Sequence, residues 1–534
     1  MDKSLRSLYR NAAEWLAGPT GSIVLHVTVI LAAIFLFSMV APKKDDPGVE
    51  VTVVEVEDSK FEELEPDEFE PPPEMEDLVD PVDIPDVDID MHPPDIPDDF
   101  AADTSMINEV SELVVASDIS SPIVMKGLQA GEYAHRSAAG RGSAKGYAGK
   151  WAEAAEAAVK RALVWLKNNQ RDDGSWGRYS NQAQKDYAPD LTAKFEGTYN
   201  EAFTGLAILC FLAHGETTAS QEFGDTVKRA IQFLVARQNE KGEFTAKGID
   251  TDAATYTQCI CTYAISEAYG MMRIPELRPV MERAVQRVID GQQANGAFDY
   301  KFAKQNQRDT SLAGWAGQCM KAAYIAGAKN PGLKEAMEKV VAEVKTAQRD
   351  DGTFWYREVG KSRHTLNITA IGCLTLQLLG HAQDKECKAG LDALNSYEYT
   401  ISGSKRTKFK GAVCDWDDPM EWPMYAWYYI AQAKFHQGGD TWNRWNAEFA
   451  PQFIRAQWIQ DPENKALYGS WISAGINNHG SQFDGHEDNY GRIYATTFAA
   501  LTLQVYYRHL PTYQPIKPIE EEESDDDDVA IKIL

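Results

Sequence analysis

Three carboxylates crowd into four positions of the stretch CDWDDPMEWP: Asp415, Asp417 and Asp418. Carboxylates this close suit acid–base chemistry, because neighbours decide which of them holds a proton. Asp418 followed by Pro419 also fits the N-cap and first position of a helix. A second cluster, His479, Asp484, His486, Glu487 and Asp488, stands in NNHGSQFDGHEDNYG. These types can ligate a metal, and a solvated loop is the simpler account of them. Cys259 and Cys261 are separated by one residue on an apolar helix pattern, so they face different ways and make no zinc pair. No metal and no cofactor are expected. Cys210, Cys259, Cys261, Cys319 and Cys373 read as buried free thiols, which suits a reducing compartment better. Cys387 with Cys414 could pair.

The elements that must position these groups repeat. LKNNQRDDGSWG, LVARQNEKGEF, VIDGQQANGAF and VKTAQRDDGTFWY each contain Gln-x-x-x-Gly-x-aromatic. The positions are Gln170/Gly174/Trp176, Gln238/Gly242/Phe244, Gln292/Gly296/Phe298 and Gln348/Gly352/Phe354, spaced 68, 54 and 56 residues apart. Near-fixed spacing of this kind signals repeat architecture. Apolar residues stand 4, 7 and 11 positions before each Gln, from Leu166, Leu163 and Val159 to Val344, Val341 and Met337. That spacing is one face of a helix, and the glycine turn ends it. A degenerate fifth copy has Leu394, Leu391 and Cys387; a sixth runs through Gln457 to Gly469–Trp471. A second, more uniformly apolar helix follows each turn, as in YNEAFTGLAILCFLAHG and DTSLAGWAGQCMKAAYIAG, and such helices are buried. Six amphipathic helices outside six apolar ones predict an all-α fold, an (α/α)6 toroid.

In that ring the inner helices run parallel, so their N-termini meet on one rim. Glu196, Asp309, His364, Asp415, Asp417, Asp418 and Asp488 fall near those starts, where helix termini stabilise carboxylates. Trp315, Trp422, Tyr425, Trp427 and Tyr428 can line the interior or pack the core. Asp309, Trp315, His364, Tyr425 and Trp427 are the cavity candidates.

Over residues 150–510 the repeat resembles the Gln–Trp motif of terpenoid cyclase and protein prenyltransferase toroids. It looks closest to bacterial prenyltransferase and squalene oxidase repeat proteins. Class II terpene cyclases carry Asp-x-Asp-Asp, whose middle acid protonates an alkene. That resemblance implies Asp417 as proton donor, supported by Asp415 and Asp418. Those cyclases place the site between two helical domains, and one is expected here. The Asp-x-Cys of prenyltransferase zinc sites does not occur on an inner helix.

The charge lies elsewhere. The 534 residues have a formal net charge of −27. Residues 45–104 hold 24 Asp/Glu and one lysine, and Glu520–Asp528 adds eight more acids. The large folded part is therefore near neutral, which argues against a nucleic-acid partner. Ten prolines and like-charge repulsion make 45–104 an extended arm that cannot bury a core, and 127–149 reads as a glycine-rich joint. Residues 21–41 are an uncharged apolar run long enough to span a bilayer, with basic residues before it. The boundaries are 1–20 cytoplasmic, 21–41 transmembrane, 42–150 arm and joint, 151–512 toroid and 513–534 acidic tail. His26 stands inside the apolar run with Ser22 one turn earlier; it is either interfacial or functional. Ser-x-x-x-His ahead of a Pro/Glu arm resembles the anchor of TonB-type energy transducers. That resemblance implies an inner-membrane protein with a periplasmic toroid, coupled through Ser22 and His26 to an ExbB/ExbD-like motor. The function expected is a non-catalytic, membrane-anchored envelope module presenting the toroid to an unknown protein or apolar ligand. The alternative is a toroid enzyme such as a class II terpene cyclase.

Overall fold

In the computed structural model the described residues are 133, 136–178, 199–244, 254–305, 307–357, 365–399, 408–474 and 491–508. The expected membrane helix 21–41 with Ser22 and His26, the arm 45–104 and the acidic tail lie outside them. Among the described residues no helix is long and apolar enough to cross a membrane.

Helix α1 (Ala138–Ala148) and a 3-10 turn (Gly149–Trp151) lead into the repeats. The outer helices are α2 (Ala152–Asn168), α4 (Gly224–Arg237), α6 (Leu277–Gly291), α8 (Leu333–Thr346), α10 (Lys385–Ser396) and α12 (Gly439–Ala456). The inner ones are α3 (Asn200–Ala213), α5 (Ala254–Met272), α7 (Thr310–Ala326), α9 (Leu366–Leu378), α11 (Pro423–Gln437) and α13 (Gly491–Leu503). A short α14 (Val505–Arg508) follows. Each inner helix packs on the next, and α13 packs back on α3, closing the ring. The apolar faces expected on the outer helices are buried: Val159, Leu163 and Leu166 are 0 % exposed. Each such side chain stabilises the fold by roughly 1.5–3 kcal/mol. Met337 is only half-buried, and Val340 takes the core position beside it.

The repeated glutamine is a staple between neighbouring repeats. Gln170 Nε2 donates to Gly174 O within its own turn and to Thr226 O at the start of the next outer helix. Gln292 and Gln348 repeat this pair of bonds. Within their own turns they donate to Gly296 O and Gly352 O, and across to the next repeat they reach Ala336 O and Glu386 O. Gln238 reaches Val280 O. Gln457 closes the ring onto Ala158 O of α2, 299 residues away. The repeated glycine is required by geometry. Gly242 has φ +77°, and a Cβ there would stand 2.2 Å from Arg283 O of the next helix, so a side chain meets both strain and backbone. Trp176, Phe244, Phe298, Phe354 and Trp471 are all fully buried behind these turns. In the degenerate fifth repeat an antiparallel pair, β1 (Glu398–Tyr399) and β2 (Phe409–Lys410), takes the place of the motif.

The structure corrects the expected glycine-rich joint. Residues 138–148 form α1, although glycine costs a helix interior about 1 kcal/mol each. Tertiary contacts offset that cost. The Ser137 hydroxyl caps the helix by accepting from Gly140 N–H, Ala144 and Ala148 are buried, and Trp442 and Asn446 donate to Tyr147 O and Ala148 O. All seven cysteines are free and buried. The Cys387–Cys414 pairing does not form, because Cys387 faces Cys373 across the α9–α10 pair.

Candidate functional site

Parallel inner helices bring their first two turns to one mouth of the ring, and there they line a cavity of about 1140 Å3 including its opening. Side chains one helical turn apart form the wall. Tyr199 and Phe203 come from the start of α3, Tyr256 and Ile260 from α5, and Ser311 and Trp315 from α7. Trp422 and Tyr425 come from α11, and Tyr494 and Phe498 from α13. Tyr300 and Tyr356 complete the wall from the turns that follow the repeat aromatics Phe298 and Phe354. Glu421 is the one carboxylate among the described lining residues. Tyr199 and Trp422 hold φ of +62° and +53°. A non-glycine residue in this region costs about 1–3 kcal/mol, and such strain gathers at functional sites.

Asp309 sits directly behind this wall, 2 % exposed. It is the N-cap of α7, and Oδ1 accepts from Ser311 N and Leu312 N. The same oxygen accepts from the Ser311 hydroxyl at 2.6 Å, and that hydroxyl lies 2.6 Å from the Tyr256 hydroxyl in the wall. Oδ2 faces Arg357 Nε at 3.3 Å. Burial pushes the Asp309 carboxyl up from its ordinary range. The Ser311 and Leu312 bonds, the Tyr356 hydroxyl and the Arg357 charge oppose that shift. Tyr300 and Tyr356 bond hydroxyl to hydroxyl. Burial, reinforced by the Asp309 charge, raises both phenols, as it does Tyr256. Behind Asp309, on α8, burial and the Asp309 charge outweigh the Arg308 guanidinium and push the Glu343 carboxyl up to about 7. The arrangement is a chain of hydrogen bonds running Tyr256–Ser311–Asp309, with one end in an aromatic cavity and the other a buried carboxylate paired with Arg357.

The structure brings some of the expected site residues together and separates others. Trp315 and Tyr425 line the cavity, with Trp315 Nε1 donating to the Tyr425 hydroxyl at 3.1 Å, and Asp309 sits behind its wall. Trp427 does not. It lies two residues, and so about 200° of helix, from Tyr425; it packs on Trp416 and Phe453 and donates to Val413 O. Tyr428 stands behind Trp315, stacked on it at 6.1 Å. The repeat-motif residues, Gly296 and Gly352 among them, sit at the turns between repeats and do not line the cavity, so their part is structural. His364 and the His479–Asp488 cluster lie outside the described residues, as does Glu196, and no metal-binding group occurs among the described ones. Asp415, Asp417 and Asp418 do not meet the cavity. Asp415 Oδ1 accepts from the N–H groups of Asp417 and Asp418, which makes it a turn cap. The Asp417 side chain is 70 % exposed and pairs with Arg455 beside a separate surface cleft. Asp417 is therefore open to water and apart from the aromatic cavity. Tyr256, Tyr300, Ser311, Tyr356 and Arg357 were not expected. A signal for two of them exists, since Tyr300 and Tyr356 each stand two residues after a repeat aromatic.

Residues 145–253 match the squalene-hopene cyclase C-terminal domain family. No sequence among the curated proteins matches the chain. Among solved structures it is similar to an alpha-1,6-mannanase of Salegentibacter sp. HEL1_6, with a TM-score of 0.45 and 11 % identity over 67 % of this chain and 99 % of that one. A sugar epimerase from a ruminal bacterium gives 0.46 and 13 % over 67 % and 99 %. An unsaturated glucuronyl hydrolase specific for heparin gives 0.44 and 14 % over 66 % and 97 %. These matches are enzymes, and among the described residues no helix is long and apolar enough to cross a membrane. The expectation of a non-catalytic module is corrected by the family match, which is to a domain of an enzyme; the expected membrane helix and the TonB-like stretch lie outside the described residues. From its repeats and its closed ring, the chain is an α/α toroid, and its residues 145–253 are similar to the squalene-hopene cyclase C-terminal domain.

Proposed function

We propose that the toroid is an enzyme that moves protons on an apolar, isoprenoid-like substrate held in the aromatic cavity, as an isomerase or lyase does. The observation that carries this reading is the buried Asp309 carboxyl joined through Ser311 to Tyr256 at the cavity wall. Aromatic faces attract positive charge, so a cavity walled by them lowers the cost of a cationic transition state. The Tyr256 and Ser311 hydroxyls meet the substrate. Asp309 positions them and holds the proton balance of the hydrogen-bonded chain, and Arg357 sets its charge.

The test is a panel of linear isoprenoids of increasing length incubated with the protein in D2O and analysed by mass spectrometry. The reading expects one chain length to leave with solvent deuterium at carbon. Unchanged isoprenoids across the panel, together with no quenching of tryptophan fluorescence on their addition, would overturn it.

A further inference from the structure

At the end of the ring away from the cavity mouth, α14 turns the Arg508 side chain into the interior, where it is 2 % exposed. Nη2 donates to the Tyr263 hydroxyl at 2.7 Å and the Tyr428 hydroxyl at 3.2 Å. The guanidinium carbon stands 5.5 and 5.6 Å from the centroids of those two rings. Nε and Nη1 are buried without a hydrogen-bond partner. Arg136, 3 % exposed, lies beside it and donates through Nη2 to Arg508 O. Its Nη1 donates to Glu267 Oε2 at 2.5 Å, and its Nε is also unpartnered.

Among the described residues the charges here do not balance. Two guanidinium groups, which keep their protons under all ordinary conditions, share the single carboxylate of Glu267, and that carboxylate is bonded to Arg136. Helix dipoles do not supply the difference. Tyr263 and Tyr428 stand nine residues before the ends of α5 and α11 at Met272 and Gln437, and a helix terminus acts over its last turn only. Phenols and water complete hydrogen bonds without adding negative charge. A buried, unpaired charge is among the most costly states a fold can hold.

We propose that this end of the ring binds a small monovalent inorganic anion, of chloride size, between Arg508 Nε and Nη1 and Arg136 Nε. One negative charge cancels the one in surplus. The crowding by Tyr263, Tyr428 and Met271 favours a monatomic ion over a phosphate. The site is separate from the cavity. Tyr428 stands between them, stacked on the cavity residue Trp315.

The test is the melting temperature of the full chain in chloride against gluconate at constant ionic strength, with a bromide-soaked crystal read by anomalous scattering. Melting should rise with chloride, with the folding equilibrium constant gaining about tenfold for each tenfold of chloride beyond half-saturation. Arg508→Gln should remove that dependence, and bromide should appear at Arg508 Nε in the native protein. The crystal keeps the idea testable if the variant does not fold. Equal melting of the native chain in the two salts, or bromide absent from Arg508, would overturn the proposal. A carboxylate of the acidic tail filling the position would give that same negative result.

Discussion

Replacing Gln457 with leucine asks whether the ring is closed by the same staple that joins its repeats. Gln457 is 1 % exposed. Its Nε2 donates to Ala158 O at 2.8 Å and Gly469 O at 2.9 Å, and its Oε1 accepts from Arg161 Nε at 2.7 Å. Leucine keeps nearly the same volume, so the loss is one of hydrogen bonds and not of packing. A buried group left without its partner costs about 1–3 kcal/mol. Ala158 O lies inside a helix and keeps a second bond, and Arg161 is half-exposed and can turn to water, so both costs fall at the low end. The sum is about 2–4 kcal/mol. Gln292→Leu serves as the control within the ring, since it loses two donated bonds and no accepted one; it should cost about 1 kcal/mol less. Urea unfolding followed by far-ultraviolet circular dichroism measures both. A loss below roughly 0.5 kcal/mol for Gln457→Leu, or a loss smaller than that of the control, would refute closure through this residue.

Two further outcomes follow from the packing and the charges. Trp176→Ala removes a fully buried indole that donates to Leu166 O and packs on Phe211; it should destabilise by about 3–5 kcal/mol in the same assay, and an unchanged midpoint would contradict a structural role for the repeat aromatics. His214 lies between Glu156 and Glu216, with Arg141 beside it. Its pKa is raised because the two carboxylates outweigh burial and Arg141, and theirs are lowered. The histidine's contribution is full below its unfolded value of 6.5 and is lost as pH rises through the folded one. The carboxylates' contribution is full above 4.5 and is lost as pH falls through their folded values. Stability from this cluster should therefore peak between about 4.5 and 6.5, and His214→Gln should flatten that part of the pH profile of melting.

The repeat was legible because its chemistry is local. One glutamine, one glycine and one aromatic define a turn, and the apolar spacing before them defines the helix that the turn ends. The fifth repeat was legible only in its helix, since a hairpin replaces the glutamine staple there. The joint at 127–149 misled because six glycines outweigh local propensity, whereas α1 is held by Trp442 and Asn446 from a distant repeat. The site was half legible. Asp309, Trp315 and Tyr425 follow from the expectation that inner helix starts meet on one rim. The exposure of Asp417, away from the cavity, was not legible, because a motif carries its residues but not their burial. The hydrogen-bonded chain Tyr256–Ser311–Asp309 joins residues 55 and 2 positions apart, and only the ring brings the first pair together.

The central proposal is that chemistry runs through the hydrogen-bonded chain Tyr256–Ser311–Asp309 and not through the aspartate-rich motif. It is tested most directly by measuring, for Asp309→Asn and Asp417→Asn side by side, turnover of whichever isoprenoid in the panel takes up deuterium. Asparagine caps a helix as well as aspartate does, so α7 keeps its start in the first variant. Turnover by Asp309→Asn should fall about 10²–10⁴-fold, with substrate binding retained, while Asp417→Asn should match the native protein. A fully active Asp309→Asn, or an Asp417→Asn that alone loses turnover, would contradict the account.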